Sequence, residues 1–233
     1  MKANEILVKT YVGNGGDWNK THQSLKDRHY LTDENDVLGD FITILDKEYP
    51  DRLKQVYKPP FVLFYKGNLS LLDNDKAIGI VADDLFNYSW YTIEQLLFKN
   101  KENRFIIGSN SEIKKGFARA TQNIILVLDT SLDNADKELV DLIINGGGLV
   151  ITEVPYGVKG TVNDFTRIIS GLENRQVIIS CKDKSLGILQ LMNSLSMGHE
   201  IFVLPTPLGR KGYKNNQFIS EGATLFYTAE QLA

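Results

Sequence analysis

The chain carries a single cysteine, Cys181, inside the apolar run Gln176-Val-Ile-Ile-Ser-Cys-Lys182. No intrachain disulfide can form, and a lone cysteine among aliphatic residues reads as a buried, inert thiol. A catalytic thiol needs a histidine beside it. The three histidines, His22, His29 and His199, are far apart in sequence, none at metal-ligand spacing, and His199 after Gly198 needs no more than a packing or dipole role at a helix end. Long apolar runs are missing too. The segment Met1 to Lys9 lacks the continuous core of a signal peptide, and no later stretch has about 18 uninterrupted apolar residues, so a reducing cytoplasm is the expected compartment. Charge of one sign is not in excess: 26 Lys+Arg against 29 Asp+Glu give a net charge of −3, which excludes a wholly basic surface but leaves a local basic patch open. There is no Walker A sequence. Where a dinucleotide-binding fold needs a glycine-rich turn, after Ile80-Val81, the chain has Ala82-Asp83-Asp84-Leu85-Phe86, whose two carboxylates repel a phosphate. No serine sits in a nucleophile-elbow sequence. Neither metal nor covalent catalysis is supported, and no cofactor is expected.

What is present is ordinary globular material: 233 residues, 42% hydrophobic and 24% charged. Residues 1–40 are polar and mixed, with Gly13, Gly15 and Gly16 close together, and read as a short appendage with a helix around Thr21 to Lys26. Pro59-Pro60 then blocks a helix and delivers the chain, extended, into a strand over Phe61 to Tyr65 that ends at Gly67. From residue 77 short apolar runs recur at 77–81, 104–107, 123–128, 149–154, 176–180 and 200–204. Amphipathic segments at 88–98, 112–120, 135–144, 162–172 and 184–197 separate them, and a helix near 215–221 and a strand at 224–227 close the chain. Gly146-Gly-Gly148 stops the helix of 135–144. Leu186, Leu189, Leu191 and Leu195 give the helix of 184–197 a broad apolar face, with Gly198 as its cap. Strands apolar on both faces, alternating with helices, predict an α/β fold: a Rossmann-like, mostly parallel sheet flanked by helices over residues 41–233, with a short N-terminal extension.

In such a sheet ligands bind beyond the carboxyl ends of the strands. The turn at Gly108, Ser109 and Asn110 leads into a helix carrying Lys114, Lys115 and Arg119, which suits a phosphate; a plain N-cap and a solvated helix face account for the same letters. Glu153 follows a strand and reads equally as a functional carboxylate or a structural hydrogen-bonding group. The loop 205–216 gathers Arg210, Lys211 and Lys214 around glycines and Tyr213, a composition that fits single-stranded nucleic acid as well as it fits a solvated loop.

The stretch from Asp46 to Asn68, with Tyr49-Pro50, Leu53, Pro59-Pro60, Leu63, Tyr65 and Lys66-Gly-Asn68, resembles the DNA-processing protein A (DprA, or Smf) family. Further likenesses follow in order: Thr152-Glu153 with Pro155 and Gly157, Arg167-Ile-Ile-Ser-Gly-Leu172, Phe202-Val-Leu-Pro205, and Gly212, Asn216 and Ile219 to Ala223. The resemblance covers about residues 41–230. It implies a Rossmann-like domain that binds single-stranded DNA, forms homodimers and helps to load the recombinase RecA. The departures fall in loops: Ala82-Asp83-Asp84 replaces the family's glycine-serine-arginine turn, the segment after the second core strand is reduced to Gly108-Ser-Asn110 and Gly116 to Arg119, and Ser185 is the nearest remnant of a serine-glycine-serine element. The chain stops soon after Tyr227, so no C-terminal winged-helix domain is expected.

The expected function is therefore non-specific single-stranded DNA binding in DNA processing, transformation or recombination, without bond-making chemistry. The candidate phosphate contacts are Lys114, Lys115, Arg119, Arg167, Arg175, Arg210, Lys211 and Lys214, Arg167 being the closest match to the family. Two alternatives stay open: an interaction scaffold that has lost DNA binding, favoured by Asp83-Asp84 and the eroded loops, and an enzyme acting on a nucleotide or nucleotide sugar, with Glu153 facing a pocket lined by Gly146 to Gly148 or Gly108 to Asn110.

Overall fold

The computed structural model describes residues 2–32, 37–73, 76–85, 87–109, 111–159 and 164–232. Among these, one nine-stranded sheet runs in the order β1-β2-β6-β5-β4-β3-β7-β8-β9. Its core is β3 (Ala77–Ala82), β4 (Arg104–Gly108), β5 (Ile124–Val127), β6 (Leu149–Thr152), β7 (Arg175–Ser180), β8 (Glu200–Val203) and β9 (Thr224–Leu225), all parallel to one another. The strands β1 (Asp40–Thr43) and β2 (Val62–Gly67) add an antiparallel edge, with Phe64 opposite Thr152 in β6. Strand order reverses between β3 and β7, so the crevice beyond their carboxyl ends is the topological switch point of the sheet. The predicted α/β class and parallel sheet are thus observed.

The helices α3 (Asn87–Lys99), α4 (Lys114–Ala120), α5 (Lys137–Asn145), α6 (Thr166–Leu172), α7 (Leu186–Ser196) and α8 (Asn215–Ser220) lie close to the predicted segments; residues 162 and 163 of the predicted 162–172 helix fall outside the described residues. Both faces of the sheet are apolar. One side packs Phe105, Phe117, Leu139 and Ile143 beneath α3, α4 and α5, and the other packs Ile106, Ile125, Ile168 and Ile169 beneath α6. Asp136 caps α5 by accepting from Leu139 N, and Gly147, at φ +86°, ends it.

The front of the chain is more ordered than its composition suggested. Two helices, α1 (Ala3–Gly13) and α2 (Trp18–Lys26), precede the sheet, where only one short helix was expected. Val8 and Tyr11 of α1 are buried in the same core as Val62 and Phe64, and the Tyr11 hydroxyl donates to the Glu153 carbonyl at 2.9 Å. Strand β1 was not foreseen either: four residues, each face pairing one apolar with one polar side chain, carry too short a pattern to read.

Candidate nucleic-acid interface

The loops after β3, β7 and β8 meet at the switch point. The two residues that follow Ala82 are tied to β7 by backbone and hydroxyl groups: Asp83 N donates to Ser180 O (3.0 Å), Asp84 N to Ser180 Oγ (2.9 Å), and Ser180 Oγ back to Asp84 O (2.6 Å). Their carboxylates then turn to the loop after β7. Asp83 accepts from Lys182 N at 2.7 Å; Asp84 accepts from Lys182 Nζ at 2.9 Å and from the Tyr213 hydroxyl. Partial burial works against ionised Asp84, but the Tyr213 and Lys182 hydrogen bonds and the charges of Lys182 and Arg210 outweigh it and hold its carboxyl below the ordinary range. The hydrogen bond to Asp84 in turn raises Tyr213 and Lys182 above theirs. In electrostatic terms, a carboxylate occupies the place between a lysine, a tyrosine and a nearby arginine where a phosphate oxygen would be welcome.

The loop after β8 is fastened to the same place. Lys182 and Tyr213 form an isolated antiparallel bridge, Asp183 N donates to Gly212 O (2.8 Å) and Lys214 N to Cys181 O (2.9 Å). Buried Asn215 stitches the two strand ends together, accepting from Cys181 N and donating to the Ile179 and Leu204 carbonyls at 3.1 and 2.7 Å. Lys182, Lys184, Arg210 and Lys211 are exposed around this junction, and Lys214 is half-buried, 3.6 Å from Asp183. Lys182 and Lys184, two residues apart just after a strand, are basic neighbours of this junction that are not among the sequence-predicted contacts. Ser185 precedes α7, its hydroxyl 3.6 Å from Cys181 Sγ. The Cys181 thiol is fully buried, and burial pushes its pKa up to about 12.

The other candidates separate. Gly108 ends β4, and Ser109 donates to Asp129 (2.7 Å); Asn110 lies outside the described residues. Lys114 folds back onto the Ser109 carbonyl (2.9 Å), Lys115 sits 3.4 Å from Glu138 and 3.6 Å from Asp136, and Arg119 is exposed in the last turn of α4. Arg175 opens β7 at the opposite edge of the sheet, 3.5 Å from Glu200 and donating to the Leu232 carbonyl. Gly146 to Gly148 precede β6 and also belong to that far edge, so they line no pocket with Glu153.

Arg167, expected to meet phosphate, is only 5% exposed. Its guanidinium grips Glu153 through both terminal nitrogens (2.7 and 2.5 Å) and donates to the carbonyls of Asp164 (2.8 Å) and Lys58 (2.9 Å). Burial alone would lower its pKa; the neighbouring Glu153 overrides that and raises it, so the guanidinium stays charged. The arginine is spent inside the fold, and Glu153 with it. Among the described residues no group of His, Cys, Asp and Glu could hold a metal ion, and no helix is long and apolar enough to cross a membrane.

Comparison with known proteins agrees with this architecture. The chain is 28% identical over 228 residues to the DNA processing protein DprA of Streptococcus pneumoniae, covering 88% of this chain and 79% of that protein. The crystal structure of the S. pneumoniae protein superposes with a TM-score of 0.73 at 25% identity, over 99% of this chain and 92% of that one. A structure of DNA processing protein A from Helicobacter pylori, described for its single-stranded DNA binding mode, shares the fold with a TM-score of 0.71 at 20% identity, over 83% of this chain and 94% of that one. The family model of DNA recombination-mediator protein A matches residues 40–233. Sheet order, switch-point loops and these likenesses together place the chain in the DNA recombination-mediator protein A (DprA/Smf) family.

Proposed function

We propose that this protein binds single-stranded DNA, without base specificity and without breaking or making covalent bonds, along the carboxyl edge of its sheet at the β3/β7 switch point. One observation carries the reading. Two loops, each fastened to the other, present Lys182, Lys184, Arg210, Lys211 and Lys214 around the Tyr213 ring, the pairing of cations and an aromatic surface that single strands require. Membership of a DNA recombination-mediator family supports it, as does the binding mode described for the H. pylori relative. The roles expected of Arg210, Lys211 and Lys214 are kept, Lys182 and Lys184 join them, and Arg167 moves from contact to support. Work in the cytoplasm alongside RecA belongs to the same proposal.

A second reading adds a partner without displacing the first. Helix α7 turns Gln190 and Ser194 inward and leaves Met192 (62%) and Leu195 (56%) exposed, beside a groove of 480 Å³ closed by Ile188, Phe218 and Ala223. We assign this face to a second copy of the chain, making the protein a homodimer.

The DNA-binding test is a fluorescent oligo-dT titrated across a salt series, with duplex DNA of equal length beside it. Preference for the single strand is expected. Lys182→Ala and Lys211→Ala should each weaken binding and reduce the salt slope by about one. Asp84→Asn should do the opposite and tighten binding, because it removes the charge that competes with phosphate for Lys182 and Tyr213. No binding by folded protein at low salt would end the proposal.

A further inference from the structure

A second surface lies on the same edge of the sheet, where the N-terminal helices join the domain. The chain from Lys58 to Phe61 runs into β2, and each of its four carbonyls is held. Arg167 Nε donates to Lys58 O (2.9 Å), Trp18 Nε1 to Pro59 O (2.8 Å), the buried Tyr49 hydroxyl to Pro60 O (2.8 Å) and Ile44 N to Phe61 O (3.0 Å). Lys58 sits at φ +51°, a left-handed conformation uncommon for a residue with a side chain. Its carbonyl is anchored by Arg167, which Glu153 in turn holds.

This rigid turn presents aromatic rings and a cation. Phe61, Trp18 and His22 form one stack, with centroids 5.1 Å and 4.9 Å apart and planes within 19° and 9°, and His22 at its exposed end. The Lys58 ammonium lies 5.5 Å from the centroids of both Trp18 and Tyr57. Packing of α2 onto the domain accounts for Trp18 and Phe61. It does not account for Tyr57, which is 74% exposed and directly precedes the held turn.

We infer that Tyr57, Lys58 and the His22 end of the stack form a base-stacking platform for single-stranded nucleic acid, with the rings taking bases and Lys58 a neighbouring phosphate. Aromatic faces accept every base, and a tyrosine ring has few torsions to lose on binding. The platform lies five strand positions from β7, about 24 Å along the edge, so one strand several nucleotides long would meet the basic loops and the platform together. The inference rests on the single-strand reading above and adds a contact surface far from the switch point.

The experiment compares wild type, Tyr57→Ala and Tyr57→Phe for binding to oligo-dT and to an abasic oligonucleotide of the same length, each long enough to cross the edge. Circular dichroism on heating confirms that the variants fold. Tyr57→Ala should weaken oligo-dT binding roughly five- to 150-fold, the range of one lost base stack, with an unchanged salt slope, and Tyr57→Phe should bind as wild type does. On the abasic strand the Tyr57→Ala deficit should vanish, because no base is there to stack. Wild type that binds oligo-dT while Tyr57→Ala binds equally well overturns the platform and leaves the switch-point site standing. A deficit that persists on the abasic strand also overturns it. Absence of any wild-type binding at low salt removes both.

Discussion

Arg167 and Glu153 illustrate how one residue's role depends on where its partner lies. Each was legible alone, a basic residue in a family-like segment and a carboxylate after a strand, but nothing in a spacing of 14 residues says that the two side chains meet. Once buried together they satisfy one another, and the cost of desolvating two charges is offset only while both are present. Arg167→Ala should therefore destabilise the fold by about 3–5 kcal/mol, because it strands the Glu153 charge and frees the Lys58 carbonyl. The double replacement Arg167→Met with Glu153→Leu should recover most of that loss. Urea unfolding of the three proteins measures it, and an Arg167→Ala loss below about 1 kcal/mol, the size of an exposed pair, would show that the pair is solvated in solution.

Elements are joined by a second buried carboxylate. Glu173, which follows α6, lies over Gly79 of β3 so closely that a Cβ there would overlap its Oε2, which is why a glycine interrupts an otherwise aliphatic strand. The Ser194 hydroxyl of α7 donates to Glu173 Oε1, and His199 Nδ1 stands 3.6 Å away. Burial raises the Glu173 pKa, with Ser194 and His199 only partly opposing it. A raised pKa in the folded state means that the native protein holds this proton more tightly than the unfolded chain does. The stabilisation is complete below the ordinary carboxylate value and is lost as pH rises through the folded value. Glu173→Gln should remove that dependence: its thermal midpoint relative to wild type should climb as pH is raised from about 4.5 into the neutral range. Parallel curves would mean that Glu173 titrates normally. Most elements were visible in the sequence, since aliphatic runs and capped amphipathic helices carry their own periodicity. The first helix and β1 were not, because α1 buries a stripe of only Leu7, Val8, Thr10 and Tyr11 and β1 has four residues.

At the scale of the whole molecule, the expected apolar face of α7 divides. Leu191 is buried, whereas Leu195 and Met192 point outward beside α8, and polar Gln190 and Ser194 turn inward, Ser194 onto Glu173. Helix periodicity reveals a stripe but not which side of it the sheet will cover. If the exposed half is the homodimer contact, sedimentation should show a dimer for wild type and a monomer for the double variant Met192→Glu, Leu195→Glu, with unchanged circular dichroism. A monomeric wild type at micromolar concentration would remove that assignment. Two-site contact with a strand on each copy would then no longer be available to raise the apparent affinity.

The sequence by itself determined the α/β class, the run of parallel strands and the family, because these reside in local periodicity and in contiguous motifs such as Tyr49-Pro50, Pro59-Pro60 and Lys66-Gly-Asn68. Tertiary structure alone decided which charges are available to a ligand. It buried Arg167 against Glu153, carried Arg175 to the far edge, set Asp84 against Lys182 and Tyr213, and left Tyr57 in solvent beside a hydrogen-bonded turn. Those outcomes depend on contacts between residues up to 129 positions apart, such as Asp84 with Tyr213, and a side chain's exposure and partners are properties of the packed sheet edges and not of the letters that precede and follow it.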